Sequence, residues 1–197
     1  MTKTKNFKSK NIILLGVFIF MEKQKGLFWE YKLLILYLLK FIFLYIIFTY
    51  LYNVYLNYQN GTDFFTKITA QSVQKIYDLF PISSQIESLN SSGMKLIIND
   101  KYVARIIEGC SGMSIIILFL AFVWSFGNIK IKTLYFIVVG ILSIFAFNIL
   151  RIALLGYVIY AFPDYQDLLH RVIFPALIYA WVIILWVYFI LKIYDKK

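Results

Sequence analysis

The sequence predicts an all-α integral membrane protein: a compact bundle of four transmembrane helices, or five, with a small extracytoplasmic helix and a β-hairpin inserted. Hydrophobic residues make up 61% of the 197 residues and charged residues only 15%, a composition far outside that of globular domains. Several apolar runs also approach the roughly 20 residues that cross a bilayer. Lysines flank these runs in the positive-inside pattern, so the formal net charge of +10 does not indicate nucleic-acid binding.

Residues 1–32 are expected to form a basic cytoplasmic or interfacial segment. Their apolar run, Ile12 to Phe20, is too short to span a bilayer, and no small-x-small cleavage site of a signal peptide follows it. It is interpreted as an interfacial helix, a short membrane insertion, or an extension upstream of a start at Met21. The first transmembrane helix, residues 33–56, follows, and the basic residues before it place the N-terminus in the cytoplasm.

Residues 57–107 form the longest polar region and are predicted to be extracytoplasmic. An amphipathic helix that ends before Pro81 is expected first, because a set of side chains recurs at helical spacing: Phe65, Ile68, Ser72, Ile76 and Leu79. Ser83 to Gly93 is interpreted as a loop. Two short apolar runs then flank Asn99-Asp100 and predict a β-hairpin that leads the chain into the next segment.

Residues 108–197 are the predicted transmembrane core that carries the candidate catalytic site. It contains three further spans: Met113 to Phe126, Leu134 to about Gly156, and Val172 to Leu191. The loop Gly127 to Lys132 carries two lysines and is expected to be cytoplasmic. Pro163-Asp164-Tyr165 separates the last two spans, and Asp164 or Asp167 is a candidate cap of the final helix.

Cys110 is the only cysteine of the chain, and His170 is the only histidine. Cys110 lies in the sequence Glu108-Gly109-Cys110-Ser111-Gly112, whose small residues leave the sulfur open to approach by another backbone. A thiol at the first turn of a membrane helix also feels the positive end of the helix dipole, which favours the thiolate. The alternative is an inert, buried cysteine that acts as a small hydrophobic residue.

Counting along the helices places Cys110, Arg151 and His170 at similar depth. Cys110 lies 17 residues before Gly127, the first residue of the cytoplasmic loop, and Arg151 lies 18 residues after Thr133, which follows the loop. At about 1.5 Å per residue, both lie about 26–27 Å from the loop along their helices. His170 lies 22 residues before Lys192 of the basic tail, or about 33 Å, and helix tilt absorbs the difference. All three are predicted to lie near the outer surface of the membrane.

Arg151 is flanked by apolar residues, and a guanidinium in lipid is costly, so it is expected to face the bundle interior with a partner. Asn148, three residues earlier, lies on the same helix face and is a candidate to orient it. Alternatively, Arg151 snorkels outward or pairs structurally with Glu108. Glu108 is expected to support the site and not to be catalytic itself. Three roles stay open for it: pairing with Arg151 or Arg105, orienting His170, or helping to bind substrate.

His170 also has an alternative without function, because a histidine at a helix start is often simply exposed. Arg171 beside it is expected to anchor the helix at the membrane interface. Ser111 or Ser114 as the nucleophile is a more distant alternative.

Together these residues resemble the exosortase and archaeosortase family. The sequence from Glu108 to Gly112 at the start of a span is similar to that family's nucleophile motif, and Asn148-Ile149-Leu150-Arg151 is similar to its Asn-x-x-Arg motif. His170, before the last span, fits its third catalytic position. The resemblance covers Lys95 to Leu191, about half of the chain. Typical members have more spans than this sequence, which resembles the short branch called exosortase F.

The resemblance implies a cysteine protease or transpeptidase of the bacterial inner membrane whose active site faces the extracytoplasmic side. Cys110 is implied as nucleophile, His170 as acid and base, and Arg151 as an assistant to both. The implied partners are secreted proteins with a C-terminal motif, a transmembrane helix and a basic tail, which are cleaved before that helix and transferred to an unknown acceptor, a lipid or a glycan.

The donors of the candidate oxyanion site are Arg151 and the backbone N–H groups of Ser111 and Gly112, which are expected to be unpaired at a helix first turn. No cofactor or metal is expected, since one cysteine and one histidine supply too few ligands. The competing function is a non-enzymatic transporter subunit or envelope assembly factor in which Arg151 binds an anionic group.

Overall fold

The computed structural model describes residues 31–59, 61–80, 82–89, 93–126 and 130–194. The expected apolar run Ile12 to Phe20, nearly all of the basic N-terminal segment and the first half of the predicted cytoplasmic loop lie outside these residues. The chain divides into two compact units, Met1–Phe41 and Ile42–Lys197. The described part of the first unit is helical, and the second unit contains the remaining elements.

The described residues form helices and one antiparallel sheet, which we number in chain order. The helices are α1 Tyr31–Asn57, α2 Phe64–Asp78, α3 Met113–Ser125, α4 Ile131–Ala161, the single turn α5 Gln166–Leu168, and α6 Phe174–Tyr188. The strands are β1 Ser84–Ser88, β2 Met94–Ile98 and β3 Lys101–Ile106. Short 3-10 turns cover Glu108–Cys110 and Pro163–Tyr165, and π-helical turns flank α6 at Leu169–Ile173 and Phe189–Tyr194.

Among the described residues, three helices are long and apolar enough to cross a membrane: α1 with 27 residues, α4 with 31, and the helical segment Pro163–Lys192 with 30. The predicted fold class is therefore confirmed. α3, the second predicted span, has 13 residues, or about 20 Å of helix, so it is shorter than the other three. The last helical segment begins at Pro163 and not at Val172, because hydropathy marks the apolar stretch while the helix continues into polar residues.

The predicted hairpin is present, and it belongs to a three-stranded sheet with the order β1-β2-β3. Asn99 and Asp100 connect β2 to β3 with φ angles of 47° and 61°, the left-handed pair that a two-residue hairpin turn requires. The interpretation of Ser83 to Gly93 as a loop is wrong for β1, which pairs antiparallel with β2. β1 has only one apolar side chain, Ile86, so its sequence carries too little alternation to predict a strand.

The helix predicted before Pro81 is α2, but it buries a different face from the one expected. The carboxylate of Asp63 caps it by accepting hydrogen bonds from the N–H groups of Phe65 and Thr66 at 2.9 and 3.1 Å. The buried side chains are Thr66, Thr69, Ala70, Val73 and Tyr77, whereas the expected apolar positions are half-buried or exposed. Small residues allow α2 to approach α4 and the sheet closely, and this outweighs the hydrophobicity of the other face.

α4 connects the two core clusters. At 31 residues it is about 46 Å long, more than the roughly 30 Å of a bilayer's hydrocarbon core. Near its start, Gly140 makes room for Phe119 of α3, whose Cζ would lie 2.4 Å from an added Cβ. Near its end, Gly156 lies against Tyr77 of α2, and the Tyr77 hydroxyl donates to the Ala153 carbonyl at 2.5 Å. Burial raises the pKa of Tyr77 to about 12.

The first core cluster lies between α2, the sheet and the C-terminal half of α4, and the second between α3, α4 and α6. Ile144 belongs to the second cluster and Ile149 to the first. Asn148 and Arg151 therefore lie where one cluster gives way to the other.

Candidate active site

The candidate nucleophile ends the 3-10 turn that follows β3. The N–H of Cys110 donates to the Ile107 carbonyl at 2.8 Å, and the N–H of Ser111 donates to the Glu108 carbonyl at 3.1 Å. The Ser111 hydroxyl donates to the same Glu108 carbonyl at 2.7 Å and accepts from the Met113 N–H at 3.4 Å. These bonds hold the turn closed and link it to the start of α3.

This turn corrects two expectations. α3 begins at Met113, so Cys110 precedes the helix and does not lie in its first turn as predicted. The N–H of Ser111 is not the free oxyanion donor that we expected, because it already bonds to Glu108. The serine hydroxyl, buried with 1% exposure, is likewise engaged in the turn, which argues against Ser111 as the nucleophile.

Asn148 of α4 holds the turn from the side. Its Nδ2 donates to the Cys110 carbonyl at 2.8 Å, and its side chain is fully buried. Gly112 makes this contact possible: it has a φ of 79°, and a Cβ built on it would lie 3.0 Å from the Asn148 Nδ2. Only glycine accepts both the left-handed backbone and the close approach at little cost.

Arg151 lies one helical turn after Asn148 and is half-buried. Its Nη1 donates to the Asn148 Oδ1 at 3.5 Å, as the i,i+3 spacing predicts. Its Nε is buried and has no hydrogen-bond partner within the described part of the chain. One donor of the guanidinium is therefore not used by the fold, which is the situation expected of a cation that binds something else.

Glu108 does not pair with Arg151. Among the described residues, no salt bridge joins Glu108 to Arg151, so that structural pairing, which we weighed as an alternative, is not observed there. The contact that the structure shows for the Arg151 side chain is with Asn148 on the same helix.

His170 lies on the helical segment that follows Pro163, within the π-helical turn Leu169–Ile173. It is exposed. Arg171, expected to be an interfacial anchor, forms an exposed i,i+4 ion pair with Asp167 at 3.5 Å. The capping of the last helix that we expected of Asp164 or Asp167 is not observed, because within the described chain no side chain caps the 3-10 turn, α5, the π-helical turn or α6.

Cys110, Arg151 and His170 line one cavity of about 290 Å³. The cavity lies between β3 on one side and the helices α4 and α5 on the other. It is lined by no carboxylate of the described chain, and Glu108 is not among its lining residues. The three side chains that counting along the helices placed at similar depth are thus brought together, whereas Glu108 lies outside their cavity.

Two further lining residues were not predicted as site residues, Arg105 of β3 and Gln166 of α5. Gln166 lies four residues before His170, and this i,i+4 spacing on a helix is a signal that could have identified it. The position of Arg105 in the cavity wall depends on how β3 pairs in the sheet, and no pattern in the neighbouring sequence predicts it.

The sequence model of a known family matches residues 12–191, and the family is described as Transmembrane exosortase (Exosortase_EpsH). The chain belongs to the transmembrane exosortase family. The match spans most of the 197 residues and includes the turn at Cys110, the Asn148–Arg151 pair and His170. No curated protein and no solved structure matches the chain.

Membership in the exosortase family supports a membrane transpeptidase or protein-sorting role in general. It also implies protein substrates with C-terminal sorting signals in a membrane. The match is to the family as a whole, so the assignment to the exosortase F branch stays a prediction.

Proposed function

We propose that this exosortase-family protein is a cysteine transpeptidase or peptidase that cleaves the C-terminal sorting signals of secreted proteins. The observation that carries the proposal is that a thiol, a guanidinium and an imidazole from three separate elements, Cys110, Arg151 and His170, line one cavity. The substrates are secreted proteins that end in a short motif, a transmembrane helix and a basic tail.

In the proposed first step, His170 takes the thiol proton of Cys110, and the sulfur attacks the carbonyl carbon of the scissile peptide bond. A C–S bond forms, and the carbonyl electron pair moves to the oxygen. The carbonyl then re-forms, the C–N bond breaks, and His170 gives its proton to the leaving amine. The products are a thioester on Cys110 and a free membrane-helix fragment.

In the second step, water or an acceptor amine or hydroxyl loses a proton to His170 and attacks the thioester. The C–S bond breaks, and the sulfur leaves as a thiolate that regains the proton. Water gives a peptidase, and an acceptor such as a lipid or glycan gives a transpeptidase. The same groups act in both.

Arg151 is proposed to stabilise the oxyanion or the thiolate. Its buried Nε has no partner within the described residues, and a charged donor in a site of low dielectric stabilises developing negative charge strongly. The Gly112 N–H remains a candidate second donor, since Ser111 is already used in the turn. Asn148 positions both partners because it contacts the Cys110 carbonyl and Arg151.

The test is the processing of a co-expressed secreted protein that ends in a helix and a basic tail. Processing is measured as the decrease in the mass of that protein. We expect Cys110→Ala, Cys110→Ser, Arg151→Ala and His170→Ala to abolish processing or reduce it at least about 100-fold, which is the scale of general acid–base and oxyanion contributions. Arg171→Ala, next to His170 in the chain but paired with Asp167 on the surface, is the matched control and should process normally. Full processing by Cys110→Ala would refute the covalent mechanism.

The extracytoplasmic orientation of the site is part of the proposal. Because Cys110 is the only cysteine, a membrane-impermeant thiol reagent reports on one position. Labelling of intact cells expressing the wild type, and none with Cys110→Ser, supports this orientation. Labelling only after the membrane is opened contradicts it, and a thiol that stays inert in both cases favours the non-enzymatic alternative.

A further inference from the structure

β3 is an edge strand of the sheet. It pairs with β2 on one side, and within the described chain no strand pairs with its other side. An edge strand presents unpaired N–H and C=O groups to which another extended chain can add.

This open edge lies along the candidate active site. Five successive residues of β3, Tyr102 through Ile106, line the cavity that also contains Cys110. Side chains of a strand alternate between its two faces, so a cavity over one face alone would contact every second residue. Contact with each residue in turn indicates that the cavity follows the edge of the strand, and it also reaches Leu96 of β2 on the sheet face. The turn after Ile106 leads directly to the thiol.

The part of β3 nearest Cys110 is regular. A bulge interrupts the pairing between Leu96 and Ile97 of β2, which leaves Val103 as the extra residue. After it, Ala104, Arg105 and Ile106 pair in register with Leu96, Lys95 and Met94 of β2. Bulges and charged side chains hinder unwanted edge pairing of whole sheets, whereas a single peptide strand can enter beside the regular part.

The opposite wall suits a peptide backbone. Ile152, Leu155 and Ile159 of α4 present apolar side chains, and Gln166 of α5 adds an amide that can both donate and accept. Hydrogen bonds to peptide groups are stronger where water is excluded.

We infer that the substrate segment preceding the scissile bond adds to the free edge of β3 as a fourth strand, parallel to it, and so delivers the scissile carbonyl to Cys110. This inference rests on the proposed function. The leaving fragment carries the membrane helix, so the preceding segment is the part that reaches β3. That segment then runs towards the thiol in the same direction as β3 itself.

The first test is a scan of single proline substitutions through the residues before the scissile bond, with alanine at the same positions as matched controls. In a strand, every second N–H faces its neighbour, and proline lacks this donor while staying compatible with extended backbone. Processing by the wild-type enzyme should fall about three- to tenfold at alternate positions and little between them, as expected for one lost hydrogen bond. A uniform effect, or one that the alanine series reproduces, would overturn the inference.

The second test uses disulfide mapping in the Cys110→Ser protein, which contains no other cysteine. Ala104 and Arg105 are adjacent on β3, so their side chains point to opposite faces. Ala104→Cys should therefore cross-link to cysteines at every second position of the substrate segment, and Arg105→Cys to cysteines at the positions between them. Gln85→Cys on β1, the other outer strand, is the control and should not cross-link. Equal cross-linking at all positions or to Gln85→Cys would contradict strand addition.

The two tests separate the inference from the proposed function. If the wild type does not process the parent substrate, the proposed function fails. If it does and the alternation is missing, only strand addition fails.

Discussion

Replacing Gly112 by alanine is the sharpest test of how the candidate nucleophile is held. Gly112 has a φ of 79°, and an added Cβ would lie 3.0 Å from the Asn148 Nδ2 and 3.1 Å from its Cγ. The new methyl group would therefore push on the side chain that holds the Cys110 carbonyl at 2.8 Å. The substitution changes no charge and no group proposed to react.

The expected cost has two parts. A non-glycine residue in the left-handed region costs about 1–2 kcal/mol. Displacement of Asn148 weakens one buried hydrogen bond, worth about 0.5–1.5 kcal/mol. We expect Gly112→Ala to lower the free energy of unfolding by about 2–3 kcal/mol and to reduce processing at least about tenfold, because about 1.4 kcal/mol on the barrier has that effect.

The assay pairs thermal unfolding in detergent with processing of the tailed substrate in cells. Gly109→Ala is the matched control, since a Cβ there meets no atom within 4 Å, and it should be nearly neutral in both measurements. If the contact with Asn148 is the cause, Gly112→Ala combined with Asn148→Ala should lose about 1 kcal/mol less than the sum of the single variants. Full activity of Gly112→Ala, or equal losses in Gly109→Ala, would refute the reasoning.

Three further predictions concern packing and surface charge. Gly140→Ala should destabilise the protein by about 1–3 kcal/mol, because its Cβ would lie 2.4 Å from the Phe119 Cζ; thermal unfolding measures this, and Phe119→Leu should recover part of the loss. Tyr77→Phe removes the bond to the Ala153 carbonyl and should cost about 1 kcal/mol at neutral pH. Burial raises the pKa of Tyr77 from 10.0 to about 12, so the wild type should lose stability as the pH rises from about 10 through 12. Tyr77→Phe should lack this loss of stability. The same pH dependence of unfolding in both proteins would contradict the prediction. Asp167→Asn breaks only an exposed ion pair and should change unfolding by less than about 1 kcal/mol with normal processing, so a strong loss would show that this pair matters to the site.

Several features of the site were accessible from the sequence because they depend on local pattern. Asn99-Asp100 between two short apolar runs predicts a hairpin, since few residues accept two left-handed φ angles in succession. The i,i+3 spacing of Asn148 and Arg151 predicts that they share a helix face, and they are in contact. Counting residues along helices placed Cys110 and His170 at similar depth, and both line one cavity.

Other features could not be predicted, because they depend on partners far away in the chain. β1 exists as a strand only because β2 lies beside it. The buried face of α2 contains Thr66 and Thr69, since the fit against α4 favours small side chains over large apolar ones. The bond from Asn148 to the Cys110 carbonyl joins residues 38 positions apart, and neither residue type by itself predicts the other.

The sequence alone predicted which segments are apolar enough to cross a membrane and how far along each one the candidate catalytic side chains lie. Hydropathy and helical rise are properties of a single segment, so one segment is enough to read them. Only the tertiary structure decided how each helix is rotated about its axis, that Glu108 is not among the residues that line the cavity, and that β3 lines the same cavity as Cys110. Those features depend on how segments fit against one another, and the free energies of such contacts are not encoded in the periodicity of either partner.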